Sequence, residues 1–245
     1  SNKSAVKATD YAIPSRDENA KQPSWFEIGE RNVEIIELVQ QLENEGRHAT
    51  PDEQTLLADY KGWGSSKIEI FPHPTKGYSS PRWEALGEKL KSLLTDSEYA
   101  TARRTTQYAH YTPPSIVNGI YAALKQFGFK GGQVFEPASG IGVFNGLMPR
   151  DMASKSHYVG VELDPMTALI AKHLYPLSDM TMGDYTKVKL PDNHFDVAVG
   201  NPPFADISYS YGAGKNKKPY LIHDYFFAKT LDKLKPGGVM AFVTS

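Results

Sequence analysis

Residues 195–204 read FDVAVGNPPF, an apolar run followed by an amide, two prolines and an aromatic ring. The run has the length and composition of a buried strand. The two prolines restrict the backbone directly after it, at the carboxyl end of the strand, where open α/β sheets place their ligands. There the side-chain oxygen of Asn201 and the carbonyl oxygen of Pro202 can both accept hydrogen bonds from one planar NH2 group, and Phe204 offers it a flat apolar face. The simpler alternative is a strand that ends in a proline turn.

Length and composition exclude several classes of protein. The chain has 245 residues, of which 40% are hydrophobic and 22% charged, a balance typical of a soluble globular protein with a sizeable core. It has no cysteine, which excludes disulfide frameworks, thiolate metal sites and cysteine nucleophiles. The sequence shows neither an apolar stretch near the roughly 20 residues that span a bilayer nor a signal peptide, so we expect a cytoplasmic protein. Because the net charge is −1, any phosphate contacts would have to come from a local basic patch.

The chain divides near residue 108. Residues 1–23 mix proline and polar residues with few apolar ones, which predicts a flexible tail or arm. Residues 24–107 show helical periodicity and capping boxes, which predict a helical N-terminal region. Its helices are expected at 25–42, from 51 to the Gly-Trp-Gly of 62–64, at 81–94 and from 96 toward 103.

Residues 108–245 alternate strand and helix patterns, which predicts right-handed crossovers and a mostly parallel, Rossmann-like α/β sheet. The expected strands are 133–136, 158–162, 179–182, 195–199 and 238–244. The expected helices are 116–127, 143–148, 165–173 and 220–234, and the first of them is expected to bury Ile120, Ala123, Leu124 and Phe127. Residues 208–220 are expected to form a loop, either a mobile one that touches phosphates or flanking bases, or a solvated one.

A glycine-rich turn and two acids mark the ends of the first three strands. The turn at 136–142 reads EPASGIG, and its glycines let the backbone approach a ligand closely. Glu162 ends the second strand, where a carboxylate can accept hydrogen bonds from both hydroxyls of a ribose. Asp184 follows the third strand and could accept one from an adenine amine. Each has a plainer alternative as a turn or a solvated strand end. Asn145 stands where the dinucleotide fingerprint has its third glycine, so a nicotinamide cofactor is disfavoured.

Residues 111–245 resemble the Rossmann-like S-adenosylmethionine-dependent methyltransferases, specifically the N6-adenine DNA methylases. The family's (Asn/Asp)-Pro-Pro-(Tyr/Phe) motif, which binds the target base, corresponds to residues 201–204. Its cofactor loop, acid-Pro-x-x-Gly-x-Gly-x-Phe, corresponds to 136–144, and its Thr-Pro segment corresponds to 111–113. The order of the three segments is that of the gamma-type enzymes.

This resemblance implies S-adenosylmethionine as the cofactor and an adenine in DNA as the target. The residues expected at the cofactor are Tyr111, Thr112, Pro113, Glu136, Pro137, Ala138, Gly140, Gly142, Phe144, Glu162, Leu163, Asp184, Tyr185 and Asn201. The residues expected to hold the flipped-out base, and hence to be catalytic, are Asn201, Pro202, Pro203 and Phe204. No metal is expected, because the seven histidines lack paired ligand spacing and cysteine partners.

Three shorter segments, 58–64, 93–95 and 109–112, resemble the region before the methylase in large methylase-helicase fusion proteins of phages, plasmids and conjugative elements. Some relatives of those proteins act in antirestriction. The resemblance implies a bacterial or phage-encoded protein with further domains in a larger polypeptide. Since the family's sheet has seven strands and five are expected here, the methyltransferase domain is expected to be truncated after its fifth strand.

Three functions remain open at this point. N6-adenine methylation of DNA is favoured by the order of the motifs. Methylation of a protein glutamine or of an RNA base is the second, because glutamine methylases of release factors and some RNA methylases use the same motif on another planar NH2 group. The third is a noncatalytic scaffold module of an antirestriction protein.

Overall fold

The computed structural model describes residues 7–14, 22–105, 112–212 and 217–244. Within the described part of the N-terminal region there are four helices: α1 Trp25–Glu45, α2 Pro51–Leu57, α3 Pro81–Leu93 and α4 Asp96–Thr105. The capping boxes predicted at Thr50 and Thr95 are both formed. In each, the threonine hydroxyl accepts the N–H of the glutamate three residues later, and the carboxylate of that glutamate accepts the N–H of the threonine.

Helix α2 is shorter than predicted, because it ends at Leu57 and not at the Gly-Trp-Gly of 62–64. The cause is Asn32, whose fully buried amide accepts the N–H of Lys61 at 2.9 Å and donates to the carbonyl of Gly62 at 2.7 Å. These two bonds tie the chain after α2 to α1. Competition from a buried side-chain amide of this kind is not visible in the local sequence.

The rest of the chain forms a Rossmann-like α/β layer, as predicted. In chain order its elements are α5 Pro114–Gln126, β1 Gln133–Glu136, α6 Val143–Gly146, α7 Arg150–Ala153, β2 His157–Glu162, α8 Pro165–Leu174, β3 Asp179–Met182, β4 Phe195–Gly200, β5 Ser208–Tyr211, β6 Lys218–Leu221, α9 Ile222–Lys233 and β7 Leu234–Phe242. Five strands form one sheet in the order β3-β2-β1-β4-β7, and every pair is parallel. The strand order reverses between β1 and β4, which is where sheets of this type open a crevice for ligands.

The buried face of α5 differs from the prediction. Val117, Tyr121 and Leu124 are buried, whereas Ala123 is exposed and Phe127 is 75% exposed. The hydroxyl of Tyr121 donates to the carbonyl of Phe144 at 2.8 Å. This hydrogen bond fixes the rotation of α5 against α6. The helix has two similar apolar faces, and this tertiary contact determines which of them is buried.

The segment after β4 also differs from the prediction. Residues 208–211 and 218–221 form an antiparallel hairpin, β5 and β6, where a loop and the start of a helix were expected. Tyr209 and Tyr211 lie against Tyr225, with ring centroids 5.5 and 5.4 Å apart. Packing on α9 therefore orders both strands. Residues 213–216, which include Lys215 of the expected loop, lie outside the described residues.

Two further boundaries were wrong, one by two residues and the other by four. The helix expected at 143–148 ends at Gly146, and the short α7 follows it. The last strand begins at Leu234 and not at 238, because Leu234 pairs with Phe195 and a bulge at 235–238 then restores the register at Val239. Lys235 holds this bulge through an ion pair of 2.7 Å with Asp196.

The two parts of the chain share one core. A single cluster of buried side chains includes Ile36 of α1, Leu57 of α2, Val134 of β1 and Ile170 of α8. Residues 7–14 also belong to this contact, because the N–H of Tyr11 donates to Leu174 at 2.8 Å and that of Ile13 to Gly146 at 2.9 Å. Residues 7–14, the N-terminal arm, thus lie against the α/β layer. Among the helices of the described segments, none combines the length and apolarity needed to cross a membrane.

Candidate active site at the carboxyl ends of β1, β2 and β4

The glycine-rich turn between β1 and α6 contains two glycines in the left-handed region, with φ of +54° at Gly140 and +83° at Gly142. A Cβ at Gly142 would lie 2.5 Å from Cε2 of Tyr175, so this glycine is required by packing. A Cβ at Gly140 would meet no atom of the described residues within 4 Å. The backbone at Gly140 therefore borders open space, as a turn that receives a ligand must.

Glu162 at the end of β2 is bound to this turn. Its carboxylate accepts the N–H of Gly140 and the N–H of Asp164, each at 2.8 Å. Burial raises the pKa of Glu162 to about 7, although the two backbone N–H groups favour the ionised form and lower it. Each carboxylate oxygen keeps a second lone pair, so Glu162 can still accept hydrogen bonds from ligand hydroxyls. The neighbouring Leu163 is 64% exposed and supplies an apolar surface.

Glu136 at the end of β1 is turned inward. It is 2% exposed, and its carboxylate accepts the hydroxyl of Tyr158. Burial raises the pKa of Glu136 well above its usual range, and the hydrogen bond from Tyr158 only partly opposes this. Phe144, also predicted at the cofactor, is 2% exposed and lies in the core. Both residues support the turn from beneath.

Asp184 follows β3 and lies next to Glu162 along the edge of the sheet, because the N–H of Gly183 donates to the carbonyl of Glu162 at 2.8 Å. One carboxylate oxygen of Asp184 accepts the N–H and the hydroxyl of Thr186. The pKa of Asp184 lies below its usual value, since burial raises it less than the bonds from Thr186 and Lys187 lower it. Asp184 is therefore an ionised acceptor.

Tyr185, which was also predicted at the cofactor, points away from the edge of the sheet. It is 2% exposed, and its hydroxyl lies 3.0 Å from that of Thr230 on α9. Its ring packs at 5.5 Å on Phe135 of β1. Tyr185 thus anchors the Asp184 turn to the core.

The motif at 201–204 begins where β4 ends, directly beside the end of β1. Gly200 has φ of +146°, and a Cβ there would lie 3.3 Å from Cγ of Glu136. The carbonyl of Gly200 accepts the N–H of Val243 at 2.9 Å, which anchors the strand end from the other side. Pro202 is buried, and the two residues flanking the proline pair are half-buried. The geometry therefore brings the motif and the glycine-rich turn together.

The Thr-Pro segment precedes α5. Thr112 is 7% exposed, Pro113 is exposed, and the helix begins at Pro114. Tyr111 lies outside the described residues. The hydrogen bond from Tyr121 to Phe144 connects α5 to the helix that follows the glycine-rich turn.

These residues fit a nucleoside cofactor with vicinal hydroxyls. The open space beside Gly140 provides room for close approach of a ligand, Glu162 provides acceptors for hydroxyls, and Asp184 provides an acceptor for an amine. Within residues 7–14, 22–105, 112–212 and 217–244, no group of three or more metal-ligating side chains is assembled. A cavity of about 700 Å³ opens where β2, β3 and β4 begin, lined in part by His157, Asp179 and Phe195. It lies at the opposite edge of the sheet from this site.

Two residues near the site were not singled out from the sequence. The ring of His223 stacks on that of Phe204, and no local pattern indicates this contact. Lys229 is 7% exposed beneath the Asp184 turn. A signal for it existed, because Tyr225, Lys229 and Lys233 recur every four residues along the buried face of α9.

Residues 178–245 match the sequence model of the Eco57I restriction-modification methylases. A segment of 140 residues is 30% identical to the Defense against restriction protein B of Escherichia phage P1, and the match covers 55% of this chain and 6% of that protein.

Two solved structures resemble the chain more distantly. The methyltransferase subunit of a type I restriction-modification system from Streptococcus thermophilus is 18% identical, with a TM-score of 0.44 over 89% of this chain and 54% of that one. A Listeria monocytogenes protein described as a class I S-adenosylmethionine-dependent methyltransferase is 15% identical, with a TM-score of 0.44 over 88% and 73%. Likenesses of this degree assign no role to any residue. The family match thus relates the part of the chain that contains Asp184 and residues 201–204 to the restriction-modification methylases.

Proposed function

We propose that the protein binds S-adenosylmethionine at the glycine-rich turn and methylates the N6 amine of an adenine flipped out of DNA. The match of residues 178–245 to restriction-modification methylases and the similarity to a phage protein named for defence against restriction support this proposal. Both descriptions refer to restriction, and the first of them names a methylase.

One structural observation supports the proposal most strongly. The turn that would hold the cofactor follows β1, and the motif that would hold the base follows β4. These two strands are adjacent and parallel, and Gly200 at the end of β4 lies against Glu136 at the end of β1. Glu162 then connects the turn to the end of β2 through Gly140. An acceptor for an amine and a cradle for a nucleoside therefore lie side by side at the point where the strand order reverses.

The roles of the protein groups follow from this arrangement. Bound S-adenosylmethionine would supply a methyl group carried on a sulfonium sulfur, and the sulfur would leave as a neutral thioether. The side-chain oxygen of Asn201 and the carbonyl oxygen of Pro202 accept hydrogen bonds from the two amine N–H groups, orient the nitrogen and stabilise the positive charge that develops on it. The nitrogen–methyl bond forms as the sulfur–methyl bond breaks, and the methylated amine then releases one proton to water. The ring of Phe204 stacks on the base and offsets part of the few kcal/mol needed to flip it.

Labelled methyl transfer tests the proposal. The protein is incubated with tritiated S-adenosylmethionine and mixed-sequence DNA, and the digested nucleosides are separated. We expect label in N6-methyldeoxyadenosine and none with a poly(dG)·poly(dC) duplex. Asn201→Ala should lower kcat at least about 100-fold, because it removes an acceptor aimed at developing charge. Asn118→Ala, on the exposed face of α5, is the matched control and should retain full activity.

Parallel reactions with RNA and with a protein substrate distinguish the alternatives. Label found only in an RNA base or in a protein glutamine would contradict DNA as the substrate while retaining the cofactor. Calorimetry with S-adenosylmethionine tests the pocket itself. A folded protein with no detectable binding would contradict methyl transfer altogether and would favour a scaffold role.

A further inference from the structure

We infer that His223 is a positioning residue that backs the ring of Phe204 and leaves only the opposite face of that ring for the target base. This inference rests on the proposed function, because it assigns the base to Phe204. It adds a residue of α9 to the base site.

The stacking of the two rings is direct. The imidazole of His223 and the ring of Phe204 have centroids 5.6 Å apart and planes inclined by 28°, an offset-stacked arrangement. Both side chains are half-buried. Nε2 of His223 lies 3.4 Å from a carboxylate oxygen of Asp224. One face of the Phe204 ring is therefore covered by protein.

The backbone holds the two rings together. The N–H of Ile222, the residue before His223, donates to the carbonyl of Ile207 at 2.8 Å. This bond ties the first turn of α9 to the segment that directly follows Phe204. Beyond it α9 is fixed by Tyr225 and Phe226, which are 5% and 6% exposed. His223 is thus presented from a rigid element to a ring on an irregular segment.

The separation of the rings decides which face the base can use. A base inserted between them would need roughly 7 Å, two stacking steps of about 3.4 Å each. The observed 5.6 Å is too small. The base therefore stacks on the face of Phe204 opposite His223, so that base, Phe204 and His223 form three layers. Without His223 the Phe204 ring gains rotational freedom, which must be lost again when the base binds.

The test compares His223→Ala with His223→Phe in the full protein. His223→Ala should raise KM for DNA about 2- to 10-fold, the worth of one aromatic pair, with kcat and S-adenosylmethionine affinity within about twofold of wild type. His223→Phe keeps a ring behind Phe204 and should restore KM. His48→Ala removes an exposed histidine far along the chain and is the control. An unchanged KM in His223→Ala, or no rescue by His223→Phe, would overturn the inference.

A crystal structure of His223→Ala separates this inference from the proposed function. We expect the Phe204 ring to occupy a second rotamer or to lose its order, whether or not DNA is the substrate. If wild-type protein methylates no DNA and the ring still changes, the proposed function fails and the backing role stands. A Phe204 ring that keeps its place without His223 would refute the backing role on its own.

Discussion

Burial of Glu162 favours its protonated form, whereas binding of ligand hydroxyls would favour its ionised form. Its pKa is raised to about 7 by burial, so the folded protein holds a proton that the unfolded chain releases near its ordinary value of about 4.3. Between these two values the unfolding free energy contributed by Glu162 decreases as pH rises, because the native state binds more protons than the unfolded state. Ribose hydroxyls, by contrast, bind best to the ionised carboxylate.

We therefore expect the affinity for S-adenosylmethionine to increase as pH rises through 7 and to level off above it. Glu162→Gln should weaken binding about 10- to 100-fold at pH 8, the worth of charge-assisted hydrogen bonds, and should abolish this pH dependence. The unfolding free energy of the variant relative to wild type should also increase as pH rises from 4.5 to 7, because only wild type loses stability across this range. Calorimetric titrations and urea unfolding across pH measure both effects. A wild-type affinity that is flat across this range would contradict the role of Glu162.

The two glycines of the turn allow a matched comparison. Gly142→Ala places a Cβ 2.5 Å from Tyr175 and should cost about 2–5 kcal/mol of stability, from overpacking and left-handed strain together. Gly140→Ala meets open space and should cost only about 1–2 kcal/mol of strain. Its methyl group, however, enters the space proposed for the cofactor. Urea unfolding should show that Gly142→Ala is the less stable of the two variants. Calorimetry should show that Gly140→Ala loses more cofactor affinity than Gly142→Ala for each kcal/mol of stability that it loses. Normal binding by Gly140→Ala would place the cofactor elsewhere.

At the scale of elements, α9 holds the segment between β3 and β4 in place through two lysines. Lys229 donates to the carbonyls of Tyr185 and, at 3.1 Å, of Val188, and its ammonium lies 4.5 Å from the centroid of the Tyr185 ring. Lys233 reaches the carbonyl of Leu190 at 3.1 Å. Burial lowers the pKa of Lys229, and the nearby charge of Lys233 lowers it further. The position of the Asp184 turn thus depends on a neighbouring helix.

Lys229→Met should loosen this turn, because it leaves two carbonyls without their donor. We expect a loss of about 1–3 kcal/mol of stability and weaker binding of S-adenosylmethionine, with KM for DNA unchanged. Lys189→Met, an exposed lysine of the same segment, is the control and should change neither property. Hydrogen exchange at residues 184–188 measures the loosening directly. Unaltered exchange there would show that Lys229 does not hold the turn.

The elements differ in how far the sequence predicts them. Strands β1 and β3 were predicted to the residue, because turn residues limit them: glycines precede β1 and a proline follows it, and a glycine follows β3. The strand pair at 208–211 and 218–221 was missed, because its order comes from the packing of Tyr209 and Tyr211 on Tyr225. The acids and glycines of the site could be placed by strand order alone. The inward turn of Glu136 could not, since it depends on the hydroxyl of Tyr158.

At the scale of the whole molecule, the helical region and the sheet are joined by polar as well as apolar contacts. Gln54 of α2 is 3% exposed, and its amide donates to the carbonyl of Thr9 at 2.8 Å and lies 3.1 Å from those of His173 and Leu174. The arm, α2 and the end of α8 therefore meet at one side chain. Since Leu174 also receives the N–H of Tyr11, this junction links the N-terminal arm to the layer that carries the site.

The shared core predicts one cooperative unfolding transition for the two parts. All three tryptophans, Trp25, Trp63 and Trp83, lie in the helical region, so their fluorescence reports that part alone. Hydrogen exchange of β1 and β4 reports the sheet. The two probes should give the same urea midpoint, and Gln54→Ala should lower both midpoints together, because it removes the amide donor shared by the arm, α2 and the end of α8. Gln41→Ala, on the exposed face of α1, should lower neither. Loss of tryptophan fluorescence while β1 and β4 remain protected would show two independent domains.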